Sequence, residues 1–151
     1  MSGEVSPEQA KRIIDMLTEG GAIKNVNAPL ALRLIPLAEE LENFELVERL
    51  LQHAENSAVD DLESGWVKFE QLRWQNSQID QFIELAAMAE KIDEGEPLAA
   101  AVLHHVGLMY LGTEEYDDCM VFTSRSMRIR EQIDDQAGLV YSLAVLEACE
   151  K

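Results

Sequence analysis

Apolar side chains recur along most of the chain at intervals of three and four residues, the spacing that places them on one face of an α-helix. An early example is the group Ile13, Ile14 and Leu17, which follows a serine–proline helix start at Ser6-Pro7. Glycine and proline are scarce, and β-branched residues do not cluster. The pattern predicts an all-α protein of about 8 helices.

Polar breaks divide these helices into units within a single predicted domain, 1–151. We predict an N-terminal helix over 6–19 that stops at Gly20, and a capping helix over 137–150. Between them we predict helix hairpins over 28–57, 60–93 and 97–133, with antiparallel helices because the links are short. In the first hairpin, Pro36 should bend the first helix or mark a late start. The core stripe expected for that helix is Leu30, Leu34, Leu37, Ala38 and Leu41.

The second helices of the three hairpins are related by a repeat. Their opening residues, 35 and then 37 positions apart, are Phe44, Ile79 and Tyr116. Ten residues after each of these comes a small residue, in turn Ala54, Ala89 and Ser126. A small side chain there lets one helix pack closely on the next. A period of this length, with two helices per unit, is typical of a helical solenoid.

The segment from Ala100 to Met127 resembles a tetratricopeptide repeat. Its first-helix motif is carried by Leu103, Gly107 and Tyr110, and its second-helix motif by Tyr116, Cys119 and Ser126. Gly107 is expected at a close contact with the partner helix, where a side chain would push the pair apart. Segments 28–57 and 63–92 match more loosely, with Ile35 and Glu70 in place of the glycine, and 128–146 is similar to kinesin-light-chain-like repeats. The resemblance implies a right-handed superhelical stack of antiparallel hairpins that binds another protein.

The net charge narrows the class of partner. The chain carries 29 acidic and 12 basic residues, a formal net charge of −17. Such a polyanion repels phosphate backbones and anionic lipid surfaces, which argues against nucleic acid and membrane. We expect the partner to be a protein segment that is basic or amphipathic, with a homodimer left open.

Cysteine usage and the N-terminus bear on location. Cys119 and Cys149 lie 30 residues apart inside helical patterns, without the spacing of a metal site or a disulfide framework. We interpret both as small core residues in a reducing compartment. No basic segment followed by an apolar run opens the chain, and no apolar run reaches the length of a membrane span. We therefore predict a cytoplasmic protein.

No arrangement of residues indicates catalysis, a cofactor or a metal. His104 and His105 are adjacent, so on a helix they point about 100° apart and cannot grip one ion together. No glycine-rich phosphate loop is present. The cluster of Arg125, Arg128 and Arg130 is expected to pair with neighbouring acids, with an anion contact as the alternative. We therefore predict a protein that is not an enzyme.

A peptide-binding groove is the predicted functional site. The first helix of each hairpin should line a concave face and leave a second stripe of residues free of the pair contact. That stripe is apolar and aromatic with acidic edges, and it lacks the Lys, Arg and Asn of a clamp for a C-terminal carboxylate. The alternative is that these residues are ordinary core or dimer contacts. The candidate groove residues are Leu32, Glu39, Val67, Gln71, Trp74, Ala101, His104, Leu108, Leu111 and Tyr141.

The sequence supports three candidate functions. The leading hypothesis is a non-catalytic adaptor or scaffold that holds a peptide or helix of a partner protein. The second is a small acidic chaperone of the secretion type, since such chaperones also have an N-terminal helix followed by three hairpins. The third is a regulatory or sensor segment of a larger repeat protein, because the last predicted helix has no second helix after it.

Overall fold

The structure, a computed structural model, describes residues 6–19 and 21–150. Over those ranges the chain forms eight α-helices, a short 3-10 helix (Gly21–Asn25) and no β-strand, which confirms the predicted all-α class. The predicted stop at Gly20 and the residues before Ser6 lie outside the described residues. The helices are α1 (Pro7–Glu19), α2 (Ala28–Glu40), α3 (Phe44–Ser57), α4 (Asp61–Trp74), α5 (Ile79–Ala89), α6 (Glu96–Gly112), α7 (Tyr116–Gln132) and α8 (Gln136–Cys149).

Side-chain caps explain where several of the helices begin. At α1 the Ser6 hydroxyl accepts from the Gln9 amide (3.1 Å), and the Gln9 side chain accepts from the Ser6 amide (3.0 Å), the expected capping box. The Asn27 side chain caps α2 by accepting from the Leu30 amide at 3.0 Å. Helix α2 continues through Pro36, so the proline does not mark a late start. Side-chain oxygens of Asn43, Asp60 and Asp135 likewise accept from amides in the first turns of α3, α4 and α8.

Four helix ends share one type of turn. In each, a residue with φ between 51° and 60° follows the helix, and the next amide donates back to a carbonyl five residues earlier at 2.9–3.0 Å. This is the hydrogen bond of a Schellman motif, which lets a chain leave a helix within three or four residues. The four residues with positive φ are Glu42, Asn76, Glu114 and Asp134. Consecutive helices are therefore joined by equivalent turns at α2–α3, α4–α5, α6–α7 and α7–α8.

The chain divides into two compact units, Met1–Glu70 and Gln71–Lys151. In the first unit α2 packs on α3, and α1 contributes the buried Ile14 and Leu17. The expected core stripe of α2 is wrong at both ends, because Leu30 and Leu41 are exposed. The buried stripe is rotated toward smaller residues, and it consists of Ala28, Ala31, Leu34, Ile35 and Ala38.

In the second unit α6 is the central helix. It packs against α5, α7 and α8, and α7 also packs against α8. Because α6 has three neighbours, seven of its residues are buried: Leu98, Ala99, Ala100, Val102, Leu103, Val106 and Gly107. Burial of this kind supplies most of the stability of a helical unit, at roughly 25 cal/mol per Å² of apolar surface.

The opening residues of the repeat coincide with helix starts, since α3, α5 and α7 begin at Phe44, Ile79 and Tyr116. The small residues ten positions later, Ala54, Ala89 and Ser126, are fully buried. Leu103 and Cys119 are buried as well, and Tyr110 is half-buried with its ring stacked on Phe122 at a centroid distance of 5.6 Å. Phe44 and Tyr116 differ from the packing role expected for them. Both stand in the first turn of a helix and remain exposed.

The closest approach in the second unit is between α6 and α7. A Cβ built on Gly107 would overlap the hydroxyl oxygen of Thr123, which is fully buried on α7. One turn further along, the Ser126 hydroxyl donates to the backbone carbonyl of Ala100 at 2.7 Å. The expectation that Gly107 lies at a close helix contact is therefore confirmed, and small polar side chains of α7 form the other side of it.

Gly107→Ala should destabilise the protein by about 1–3 kcal/mol, because the added methyl overpacks the contact with Thr123. The matched control is Gly112→Ala, where a Cβ would meet nothing within 4 Å at the end of the same helix. There the higher helix propensity of alanine should leave stability unchanged or raise it by up to about 1 kcal/mol. Urea unfolding followed by circular dichroism measures both. Equal effects of the two substitutions would refute the contact.

Candidate functional site

The candidate groove residues of the first unit differ in their access to a ligand. Leu32 is half-buried and Glu39 is exposed, and both lie on α2. Val67, on α4, is only 2% exposed. A side chain this buried is not accessible to a ligand, so Val67 does not line a binding surface. Leu32 and Glu39 remain the accessible pair in this unit.

The candidates on α6 form a continuous surface. Ala101, His104 and Leu108 are three and four residues apart, so they share one side of the helix, and Leu108 is 40% exposed. Leu111 continues this spacing, but it packs against the cluster of Cys119, Val145 and Cys149. We call Ala101, His104 and Leu108 the α6 face. It is the part of the central helix that its three neighbours leave open.

The remaining candidates lie on α4 and α8. Gln71 and Trp74 are half-buried at the end of α4, and Tyr141 on α8 is 65% exposed. The buried side of α8 consists of Gly138, Ser142, Val145 and Cys149. Sequence reasoning placed Tyr141, Val145 and Ala148 on the groove side of this helix, and Val145 is instead buried. The sequence signal that was missed is the scarcity of charge in α8, whose single charged residue is Glu147.

Arg130 connects the α6 face to α8. The residue is 9% exposed, its Nη1 donates to the Gly138 carbonyl (3.0 Å) and the Ser142 hydroxyl (2.9 Å), and Nη1 lies 3.2 Å from Nδ1 of His104. The Nε atom lies 4.0 Å from the Asp135 carboxylate and has no hydrogen bond. The guanidinium crosses the first turn of α8 so closely that a Cβ on Gly138 would lie 2.8 Å from its Cδ. Arg130 therefore fixes both the start of α8 and the imidazole of His104.

The other two arginines of the cluster lie nearer the surface. Arg125 is 3.9 Å from the Glu90 carboxylate, and its guanidinium carbon lies 5.4 Å from the centre of the Phe122 ring. Arg128 is exposed. Pairing with acids, the interpretation preferred for this cluster, is thus seen at Arg125 and Arg130. Burial of Arg130 was not foreseen, because a helical spacing does not show which of three arginines faces the next helix.

Both histidines of α6 have a lowered pKa. Burial lowers the pKa of His104, and the positive charge of Arg130 lowers it further. Burial likewise lowers the pKa of His105 to about 4, with smaller contributions from Arg73 and His104. The His105 ring lies 4.8 Å from the Phe82 ring. Near neutral pH the imidazoles are uncharged, and Nδ1 of His104 lies 3.2 Å from Nη1 of Arg130.

Cys119 and Cys149 form a disulfide between α7 and the end of α8. The interpretation of both as buried residues is confirmed, but the expectation of no disulfide is wrong. Residue spacing could not show it, because the pairing depends on how α8 packs along α7. Disulfides persist mainly in oxidising compartments, so the cysteines no longer support the predicted cytoplasmic location.

Acidic residues line a shallow depression at the turn between α6 and α7. It is formed by Glu114, Glu115, Tyr116, Asp117 and Asp118. The Glu115 carboxylate accepts a hydrogen bond from the Thr113 hydroxyl at 2.6 Å. Carboxylates concentrated at one turn favour the approach of a basic segment.

Within 6–19 and 21–150, no three His, Cys, Asp or Glu side chains gather closely enough to hold a metal ion. Over the same ranges, every helix is too short or too polar to cross a bilayer.

No family model, curated protein or solved structure matches the chain. The function proposed below consequently depends on the geometry and charge of its own residues.

Arg130→Met should destabilise the protein by about 2–3 kcal/mol, because it leaves the Gly138 carbonyl and the Ser142 hydroxyl without their charged donor. Arg128→Met, at an exposed position on the same helix, is the matched control and should change stability by less than about 0.5 kcal/mol. Urea unfolding of both variants tests the difference. An Arg130→Met protein as stable as the control would show that the guanidinium does not hold α8.

The low pKa of His105 predicts a dependence of stability on pH. Between pH 6.5 and about 4 the imidazole is protonated in the unfolded chain but not in the folded one. The folded state therefore loses stability relative to the unfolded state as the pH falls. The loss should be on the order of 1 kcal/mol after solvent screening. His105→Gln should lose less stability than the wild type between pH 7.5 and 4.5, measured by urea unfolding. Parallel losses in the two proteins would contradict the prediction.

Proposed function

We propose that this chain is a non-catalytic protein-binding module of the tetratricopeptide type. Its helix pairs would be antiparallel and would stack into a right-handed superhelix with the first helix of each pair on the concave side. A basic or amphipathic segment of a partner protein would bind there. The observation that carries the proposal is the α6 face, where Leu108 is 40% exposed and Ala101 and His104 are half-buried on a helix with seven buried residues.

The repeated local geometry supports the repeat assignment. The links within the three pairs, α2–α3, α4–α5 and α6–α7, use the same Schellman hydrogen bond. The second helix of each pair buries a small residue at its eleventh position. In the pair whose sequence resembles the family best, a Cβ on Gly107 would overlap the Thr123 hydroxyl, a close contact that is consistent with the glycine of the family motif. Recurrence at a fixed period is the property that lets such pairs stack.

The chemistry of the α6 face supports a peptide as ligand. Leu108 offers an apolar contact, and the neutral His104 is held in place by Arg130. A side chain that is fixed before binding loses little entropy on binding, which favours recognition. The acidic turn at Glu114–Asp118 follows the same helix, and the net charge of −17 attracts cationic segments over longer distances.

Leu108→Glu should weaken binding of a captured partner by at least tenfold, about 1.4 kcal/mol, because it places a charge in the apolar contact. Met88→Glu is the matched control, since Met88 on α5, the second helix of its pair, is similarly exposed, 47% against 40% for Leu108. Both variants should keep the helical circular dichroism of the wild type.

Affinity capture with the wild-type protein, followed by mass spectrometry, identifies the partner, and titration calorimetry then measures its affinity for each variant. Identical affinity of wild type and Leu108→Glu would show that the α6 face is not the binding site. Equal loss in both variants would indicate a non-specific effect of added charge.

A further inference from the structure

Helix α8 exposes apolar side chains where a surface helix is normally polar. Val140 is 66% and Leu143 is 57% exposed, on the side opposite the buried Gly138, Ser142, Val145 and Cys149. Ala144 lies beside them and is exposed as well. With Glu147, these residues occupy positions i, i+3, i+4 and i+7, so they form one strip along the helix. We call Val140, Leu143, Ala144 and Glu147 the outer face of α8. A helix that is apolar on all sides is normally covered on all sides.

Two attachments hold this helix in place. Arg130 binds the Gly138 carbonyl and the Ser142 hydroxyl near its start, and the disulfide joins its last residue, Cys149, to Cys119 of α7. The outer face is therefore presented in a fixed orientation, although the buried side of α8 consists mostly of small residues. A preformed apolar strip of this kind is the usual receptor for an amphipathic helix.

The one charged residue of α8, Glu147, lies within the outer face and is acidic. From Glu131 to Glu150 the chain contains no Lys or Arg. Asp135 lies beside Arg130, and the other four acids of this stretch are exposed: Glu131, Asp134, Glu147 and Glu150. Glu147 belongs to the strip itself. A helix that covers Val140 and Leu143 would thus meet carboxylates, and lysines or arginines flanking its apolar stripe would complement them.

We propose that the outer face of α8 binds an amphipathic helix of another protein, with an aliphatic stripe flanked by Lys or Arg. This surface is distinct from the α6 face, because the two are formed by different helices and Val140 and Leu143 point away from the buried side of α8. A second copy of the chain fits less well. It would bring the same acidic residues to both sides of the contact without a cation between them.

The test uses a synthetic amphipathic peptide of leucine and lysine, about 18 residues or five helical turns long. Two further peptides serve as probes, one with glutamate in place of lysine and one with the same composition in scrambled order. Titration calorimetry with the full chain, its disulfide intact, should show binding of the leucine–lysine helix only. Val140→Ser/Leu143→Ser should weaken it at least about tenfold. Glu147→Lys should weaken it too, most strongly at low salt.

Two matched controls separate this surface from others. Val59→Ser removes a valine that is more exposed still, outside α8, and should leave the affinity unchanged. Leu108→Ser, in the α6 face, should weaken binding of this peptide less than the α8 double variant does. A loss in Leu108→Ser, with none in the α8 double variant, would overturn the inference while supporting the α6 face as the peptide site.

Other outcomes would also overturn the proposal. Equal affinity of the double variant and the wild type would exclude the outer face as the site. Equal binding of the scrambled peptide would show that the ligand need not be an amphipathic helix. Equal binding of the glutamate peptide would show that it need not be cationic. Sedimentation velocity tests whether a second copy of the chain occupies the outer face. A wild-type dimer that Val140→Ser/Leu143→Ser converts to a monomer would assign the outer face to a second copy.

Discussion

Helices α6 and α7 pack so closely that Gly107 has no room for a side chain opposite Thr123. The other properties of the second unit depend on this contact. It lets the Ser126 hydroxyl reach the Ala100 carbonyl and brings α7 close enough for Arg130 to contact His104. Helix α6 also packs against α5 and α8, and Leu108 is the residue of the α6 face that stays exposed. Close packing on three sides therefore defines the α6 face by exclusion.

Helix α8 is attached in a different way. Its buried side offers Gly138, Ser142, Val145 and Cys149, which bury little apolar area compared with the leucines and valines of α6. A buried guanidinium and a disulfide add specific attachments at its two ends. Such attachments fix orientation more than they fill a core. They keep the helix in place while its outer side remains available for a partner.

Sequence periodicity was sufficient for much of this fold. It predicted the starts of α3, α5 and α7, because a stripe of apolar residues and its interruption are local properties. It failed where the outcome depended on packing between helices. The buried stripe of α2 contains Ala31 and Ile35 and leaves Leu30 exposed. Val67 is buried, and Cys119 forms a disulfide with Cys149. Of the candidate site residues, Val67 is buried, whereas the four on α6 stay at least partly exposed.

A double-mutant cycle on Gly107 and Thr123 tests the central contact most directly. The four proteins are the wild type, Gly107→Ala, Thr123→Ala and the double variant, each unfolded in urea. If the added methyl collides with the Thr123 hydroxyl, the second substitution should recover stability in the first, with a coupling of about 1–2 kcal/mol. Additive effects would show that the two side chains do not meet, and would contradict the close approach on which the α6 face depends.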